Sequence, residues 1–242
     1  MRINLQPAYI LHSRPWRDSS LLLELFTAEH GRLSLVGKGA RRRSRGGSNA
    51  SLLQAFSPLL VSFSGRSEMK QLTAVEAAAP PLALAGECLF SGLYLNELLV
   101  RLLHRHDPHP GLFACYGETL ESLARATDVS ASLRRFEFTL LEVLGYHFDP
   151  AIDGHAGTPV LADGWYQYQA EYGLVKCQRQ HAGPAPVFSG ADLLAIAAGE
   201  YRGAQATAAK RLLREALASH LGDRPLHSRE LFRQFRGSGR PA

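Results

Sequence analysis

Residues 18–39, DSSLLLELFTAEHGRLSLVGKG, hold two apolar runs separated by AEHG, and their reading decides the fold of the N-terminal part. Side chains alternate across a strand, so SLLLELF predicts Leu21, Leu23 and Leu25 pointing inward while Glu24 faces water. The AEHG segment supplies a turn, and Leu33 and Leu35 then pair with those leucines across a hairpin. Working outward, AYILHSR before Pro15, LLQAFSPLLVSFSG and EMKQLTAVEA read as further short strands, with Gly65 between the last two. Five short strands in about 75 residues predict a small closed barrel, because closure removes the edges an open sheet of that size would expose. An OB-fold is the expected barrel over residues 1–80, and an SH3-like barrel is its competitor.

After Pro80 and Pro81 the apolar period lengthens towards that of a helix, which predicts a helical domain over residues 81–242. Leu82, Leu89, Leu93, Leu98 and Leu102 fall roughly on one helical face. A second helix is expected from Gly111 to Ala126 with Phe113, Tyr116, Leu120 and Leu123 inside, and a third packs Leu133, Phe136, Leu140 and Leu144 before stopping near Gly145. Residues 146–188 break into glycines, prolines and the alternating WYQYQAEYGLVKC, a small irregular β-hairpin insertion turning near Gly173. Ser189 is placed to cap the next helix, Ala204–Leu221 is amphipathic with Arg211 and Arg214 outward, and Ser228 is expected to cap a last helix with Leu231, Phe232 and Phe235 on its apolar side. The fold class is α+β: an OB-fold barrel followed by an all-α domain carrying the insertion.

The net charge of +5 is unevenly spread. Residues 1–80 carry 11 Lys+Arg against 5 Asp+Glu, and residues 201–242 carry 9 against 3, so two basic ends flank an acidic centre. The stretch VGKGARRRSRGGSNAS (36–51) sets Lys38, Arg41, Arg42, Arg43 and Arg45 among glycines and serines. That composition offers too little apolar area to offset an ordering entropy of about 1–2 kcal/mol per residue, and it suits a solvated loop that meets a polyanion. Nucleic-acid binding also wants aromatic faces for base stacking. Trp16, between Arg14 and Arg17 at a strand end, is the candidate stacker, whereas Phe26, Phe56 and Phe63 are assigned to the core.

Several chemistries are disfavoured. Gly37-Lys38-Gly39 lacks the spacing and the hydroxyl residue of a nucleotide-binding P-loop. No G-x-S-x-G elbow or H-E-x-x-H occurs, and His104, His106 and His109 beside Asp107 read as a polar helix terminus. Cys88, Cys115 and Cys177 are odd in number and widely spaced, against a disulfide framework and against a four-thiolate metal site. A reducing cytoplasmic location is expected, with no secretory leader and no membrane span. No cofactor is expected, nor a metal.

Five stretches in order, YILHSRPWRDSSLLLELFT, GRLSLVGKGARR, SGLYLNELL, LRRFEFTLLEVLGY and LHSRELFRQFR, resemble the RecO family of bacterial DNA repair and recombination mediators. The resemblance implies a non-enzymatic role: binding and annealing single-stranded DNA, with double-stranded DNA as a second form, engaging the C-terminal tail of the single-strand binding protein, and working with RecR to load RecA. It places the expected location in the cytoplasm at the nucleoid. The candidate DNA-binding residues are Arg14, Trp16, Arg17, Arg32, Lys38, Arg41, Arg42, Arg43 and Arg45. Arg101, Arg105, Arg134 and Arg135 are candidates for a partner groove, Arg134 and Arg135 matching the family's basic pair. Many relatives hold zinc on two cysteine pairs between the helices; this chain keeps only Cys177 there, so the insertion is expected to lack a complete zinc finger. An alternative role is a protein-interaction adaptor whose basic surface docks acidic protein tails, with DNA binding secondary.

Overall fold

The computed structural model describes residues 2–41, 51–179 and 185–238. The chain packs as two compact units, residues 1–127 with 225–242 in the first and 128–224 in the second.

The first unit opens with five strands, β1 (Arg2–Trp16), β2 (Ser20–Thr27), β3 (Gly31–Gly37), β4 (Leu59–Ser64) and β5 (Lys70–Ala77), closed into a barrel in the order β1-β2-β3-β5-β4. This is the arrangement of an OB-like barrel. In the β2–β3 hairpin Leu23 lies opposite Leu35 and Leu25 opposite Leu33, and these four join Ile10, Val61 and Phe63 in a buried interior. Burying each such side chain contributes about 1.5–3 kcal/mol, so this interior outweighs any single polar contact in the barrel. The opposite face of β2 is buried too: Phe26 is covered by the rings of Phe113 and Tyr116, which is why SLLLELF reads as a nearly continuous apolar run.

Glu24 does not face open water. Its side chain is only 15% exposed, held by Arg32, Ser34 and Arg105. The reason lies at the β3 edge, only part of which pairs with β5. The parallel ladder to β5 spans only Leu35 with Lys70 and Val36 with Gln71, and the rest of the β3 edge is covered by the segment after the first helix. There the His106 N–H donates to the Arg32 carbonyl at 2.9 Å, which protects an otherwise open edge. Gly31, with φ +62°, passes so near this segment that a Cβ would lie 2.1 Å from the Asp107 carbonyl oxygen.

Helix α1 (Gly86–Leu102) presents two opposite stripes. Gly92, Leu95, Asn96 and Leu99 are buried, with Phe56 against Gly92; the face is thus chosen by close approach at a glycine and not by the leucine spacing alone. Asn96 can sit inside because its amide donates to the Leu11 carbonyl at 3.0 Å and its oxygen accepts the Tyr116 hydroxyl at 2.5 Å. Helix α2 (Pro110–Ala124) starts with proline at its first position, where the missing N–H has no partner to lose.

The second unit comprises α3 (Val129–Val143), β6 (Ile152–Asp153), β7 (Thr158–Pro159), β8 (Trp165–Gln169), β9 (Gly173–Cys177), β10 (Val187–Ser189), α4 (Gly190–Ala197) and α5 (Gly203–Leu221). The β8–β9 hairpin turns just before Gly173, whose φ of +78° suits glycine, and β10 adds a third strand beside β8. Ser189 caps α4, its hydroxyl accepting the Asp192 N–H at 3.2 Å. Leu212, Leu213, Ala216 and Leu217 of α5 are buried, while Arg211 and Arg214 point outward.

The chain then returns to the first unit as α6 (His227–Ser238). Ser228 is not its cap. The carboxylate of Glu97 on α1 accepts the N–H groups of His227 and Ser228, both at 2.9 Å, and the Ser228 hydroxyl at 2.6 Å. An acidic group serves a helix N-terminus well because it meets both unpaired donors and the positive end of the dipole. Burial pushes the Glu97 carboxyl up, and the bonds from Ser228 and His227 together with Arg101 outweigh it and hold the group below its ordinary range. A depressed folded pKa means stabilisation that is complete above the unfolded value of about 4.3 and lost as pH falls through the lower folded value. Glu97→Ala is expected to lose about 1–2 kcal/mol and to speed amide exchange over residues 228–236; unchanged exchange there would refute the capping role.

Candidate nucleic-acid interface

Two turns at one end of the barrel lie side by side. The end of β1 carries Arg14 and Trp16, its connection to β2 carries Arg17, and the exit from β3 carries Lys38 and Arg41. They are tied together by the Arg41 N–H donating to the Ser19 carbonyl at 3.0 Å, and Ala40 is buried against Gly37. This anchoring uses backbone and a small apolar residue, so the cationic side chains stay exposed: Arg14, Arg17, Lys38 and Arg41 all face solvent. Trp16 is half-buried with the Arg14 guanidinium 6.0 Å from its ring centre. Asp18 is the acidic neighbour in the same turn. Arg42, Arg43 and Arg45 lie outside the described residues.

Arg32 sits elsewhere in electrostatic terms. Its Nε donates to the Leu103 carbonyl at 3.1 Å and its Nη1 to Glu24 at 3.2 Å, and burial lowers its pKa against the opposing pull of Glu24. Arg105 bridges Glu24 at 3.0 Å and Glu68 at 3.2 Å, closing the same cluster over the β3 edge. Arg101 donates to the Pro225 carbonyl and lies 3.8 Å from Glu97, where it supports the start of α6. These three guanidiniums hold the first unit together.

The second unit carries a cleft of about 690 Å³ lined by Asp128, Ser130, Arg135, Tyr201, Arg202 and Gln205, among others. The N-terminal ends of α3 and α5 both open onto it, and neither has a side-chain cap. Their free first-turn N–H groups, with Arg135 and Arg202, suit an anion such as a carboxylate. Asp128 and Glu200 line the same cleft and restrict which anions enter. Burial raises the Tyr201 hydroxyl pKa, which keeps it neutral. Arg134 turns inward instead, 5% exposed, with Nη2 donating to Glu137 Oε1 at 3.0 Å and Nε 3.0 Å from Oε2 as an ion pair. Arg135 is therefore the member of the basic pair that the cleft presents. Arg202, Tyr201 and Gln205 were missed by sequence reading; an amphipathic helix from Ala204 is legible, but the meeting of its start with that of α3, some 70 residues earlier, is not.

A zinc centre built on two cysteine pairs does not fit the insertion. Cys177 is its one cysteine, and among the described residues no group of three His, Cys, Asp or Glu could hold a metal ion. The place of an organising centre is taken by Asp153, buried, whose carboxylate accepts the N–H groups of His155, Ala156 and Lys176 at 3.0, 3.0 and 3.1 Å. Desolvation pushes this carboxyl up, and the three donors with His155 outweigh it and hold it below the usual Asp range. The rings of Phe148 and Tyr168, 5.1 Å apart, pack the neighbouring hairpin. No helix among the described residues is long and apolar enough to cross a membrane.

The family model described as Recombination protein O N terminal matches residues 1–81, and Recombination protein O C terminal matches residues 85–230. The DNA repair protein RecO of Nitrosococcus oceani is 46% identical over 99% of this chain and 96% of its own length. Those of Alkalilimnicola ehrlichii and Pseudomonas paraeruginosa are each 45% identical, over 100% and 97% of this chain and 95% and 97% of their own lengths.

Proposed function

Because the chain belongs to the RecO family of DNA repair proteins, we propose that it is a recombination mediator that binds and anneals single-stranded DNA through the barrel. With RecR it helps load RecA onto strands coated by the single-strand binding protein. The observation that carries this reading is the gathering of Arg14, Arg17, Lys38 and Arg41 beside Trp16 at one end of the barrel. Cations that neutralise phosphates release counterions and bind any sequence, and an aromatic face adds stacking that every base can use. Annealing then needs no chemical step: lowering the repulsion between two strands lets base pairing select the partner. The cleft with Arg135 and Arg202 supports a second element of the proposal, in which the acidic C-terminal tail of the single-strand binding protein places its terminal carboxylate there.

The test is a salt titration of binding to a single-stranded oligonucleotide, with and without that tail peptide. If the four described cations each meet a phosphate, log affinity falls against log salt with a slope of about −3, from roughly −0.7 per contact. Tail peptide is expected to bind without displacing DNA. A salt-independent affinity would contradict the reading, and displacement of DNA by the peptide would favour the adaptor, in which one basic surface serves acidic tails.

A further inference from the structure

The second unit is net acidic, with 9 Lys+Arg against 11 Asp+Glu over residues 128–224, yet helix α5 sorts its charges by side. At about 100° per residue, Gly203, Thr207, Lys210, Arg211, Arg214 and Ala218 fall within one stripe about 100° wide, and all six are exposed. Ala209, Leu212, Leu213, Ala216 and Leu217 form the buried side. Three of the unit's cations thus stand together on a stripe that carries no carboxylate of its own. None of the three meets a carboxylate within 4 Å among the described residues. Glu215, four residues after Arg211 at the margin of the stripe, is half-buried. Asp192 on the neighbouring α4 is half-buried too and accepts the Ser189 hydroxyl at 2.7 Å. Gln205, which lines the anion cleft, lies about 160° round the helix from Thr207, so the stripe turns away from that cleft.

We propose that this stripe binds double-stranded DNA, gripping its backbone without reading its bases. Three unopposed cations complement a polyanion, and the small residues beside them, Gly203, Thr207 and Ala218, let a stiff rod lie close to the helix. A duplex is selected over a single strand because the stripe has no stacking face. Phe188, with the Arg211 guanidinium 5.7 Å from its ring centre, is only 2% exposed and offers nothing to a base. A duplex also presents one phosphate charge per about 1.7 Å of its axis, denser than any single strand. The contact with Phe188 holds Arg211 in place while leaving its N–H donors free for phosphate oxygens. An acidic protein tail gains less here, since the stripe holds no apolar side chain larger than that of alanine to anchor it.

The inference rests on the annealing reading, whose product is a duplex, and its test separates the two. Affinities of the full chain for a blunt duplex and for a single-stranded oligonucleotide are measured across a salt series. Lys210→Gln/Arg214→Gln leaves Arg211 on Phe188, so the thermal midpoint is expected to hold. Its duplex affinity is expected to fall about 60-fold at ~0.1 M salt, with a slope shallower by about 1.8, from roughly 0.9 per lost phosphate contact. Single-strand affinity is expected to stay within about threefold, and Lys210→Arg/Arg214→Lys to bind duplex as the parent does. Duplex affinity and slope left unchanged, or duplex and single-strand affinity falling together, overturns the inference, as does loss of binding to an acidic tail peptide with duplex binding intact. If a barrel charge reversal leaves single-strand binding intact, it is the parent reading that fails.

Discussion

A chain carrying Lys38→Glu and Arg41→Glu is expected to bind a single-stranded oligonucleotide about 100-fold more weakly at ~50 mM salt, with a salt slope shallower by about 1.4. The size follows from the electrostatics. Each phosphate contact contributes roughly 0.7 to the slope, which at that salt is nearly a factor of ten in affinity, and a carboxylate in place of a cation adds repulsion. The fold has no stake in these side chains. Both are exposed, and the bond that fixes this turn to Ser19 comes from the backbone N–H of Arg41, which glutamate supplies equally. The thermal midpoint is therefore expected to stay where it was, and Lys38→Arg with Arg41→Lys is expected to bind as the parent does. Binding and slope both unchanged by the reversal would remove the barrel end from the interface.

The largest effect on stability belongs to Glu137→Leu. Arg134 and Glu137 have side chains only 6% and 3% exposed and meet across one turn of α3. Removing the carboxylate leaves a guanidinium buried without its charge partner, and breaking such a pair from one side costs about 3–5 kcal/mol, or about 6–20 °C in thermal midpoint. The double change Arg134→Leu/Glu137→Leu removes both desolvation costs and is expected to recover most of the loss. A single substitution that costs under about 1 kcal/mol would show the pair to be solvated like any surface pair. The contrast carries a functional corollary: Arg134 positions α3, while Arg135, one residue on, faces the cleft.

Sequence periodicity alone determined a good part of the molecule. The β2–β3 hairpin and its register follow from Leu21–Phe26 and Leu33–Leu35, because Leu23 and Leu25 share the barrel interior with Leu33 and Leu35 and a one-residue slip would turn one pair away from it. The closed barrel, the helices, the hairpin before Gly173 and the Ser189 cap follow from similarly local rules, and the family is legible from motifs in order along the chain. Local rules reach only as far as a turn or a pair of neighbouring strands. Hence Ser228 reads as a helix cap, although the cap comes from Glu97, some 130 residues away. For the same reason Glu24 reads as solvent-facing until Arg105 closes over it, and Arg134 and Arg135 read alike although helix rotation buries one and exposes the other. Which cations remain available to a ligand depends on the acidic groups that folding brings within 4 Å of them, and that pairing is decided by tertiary structure, not by composition.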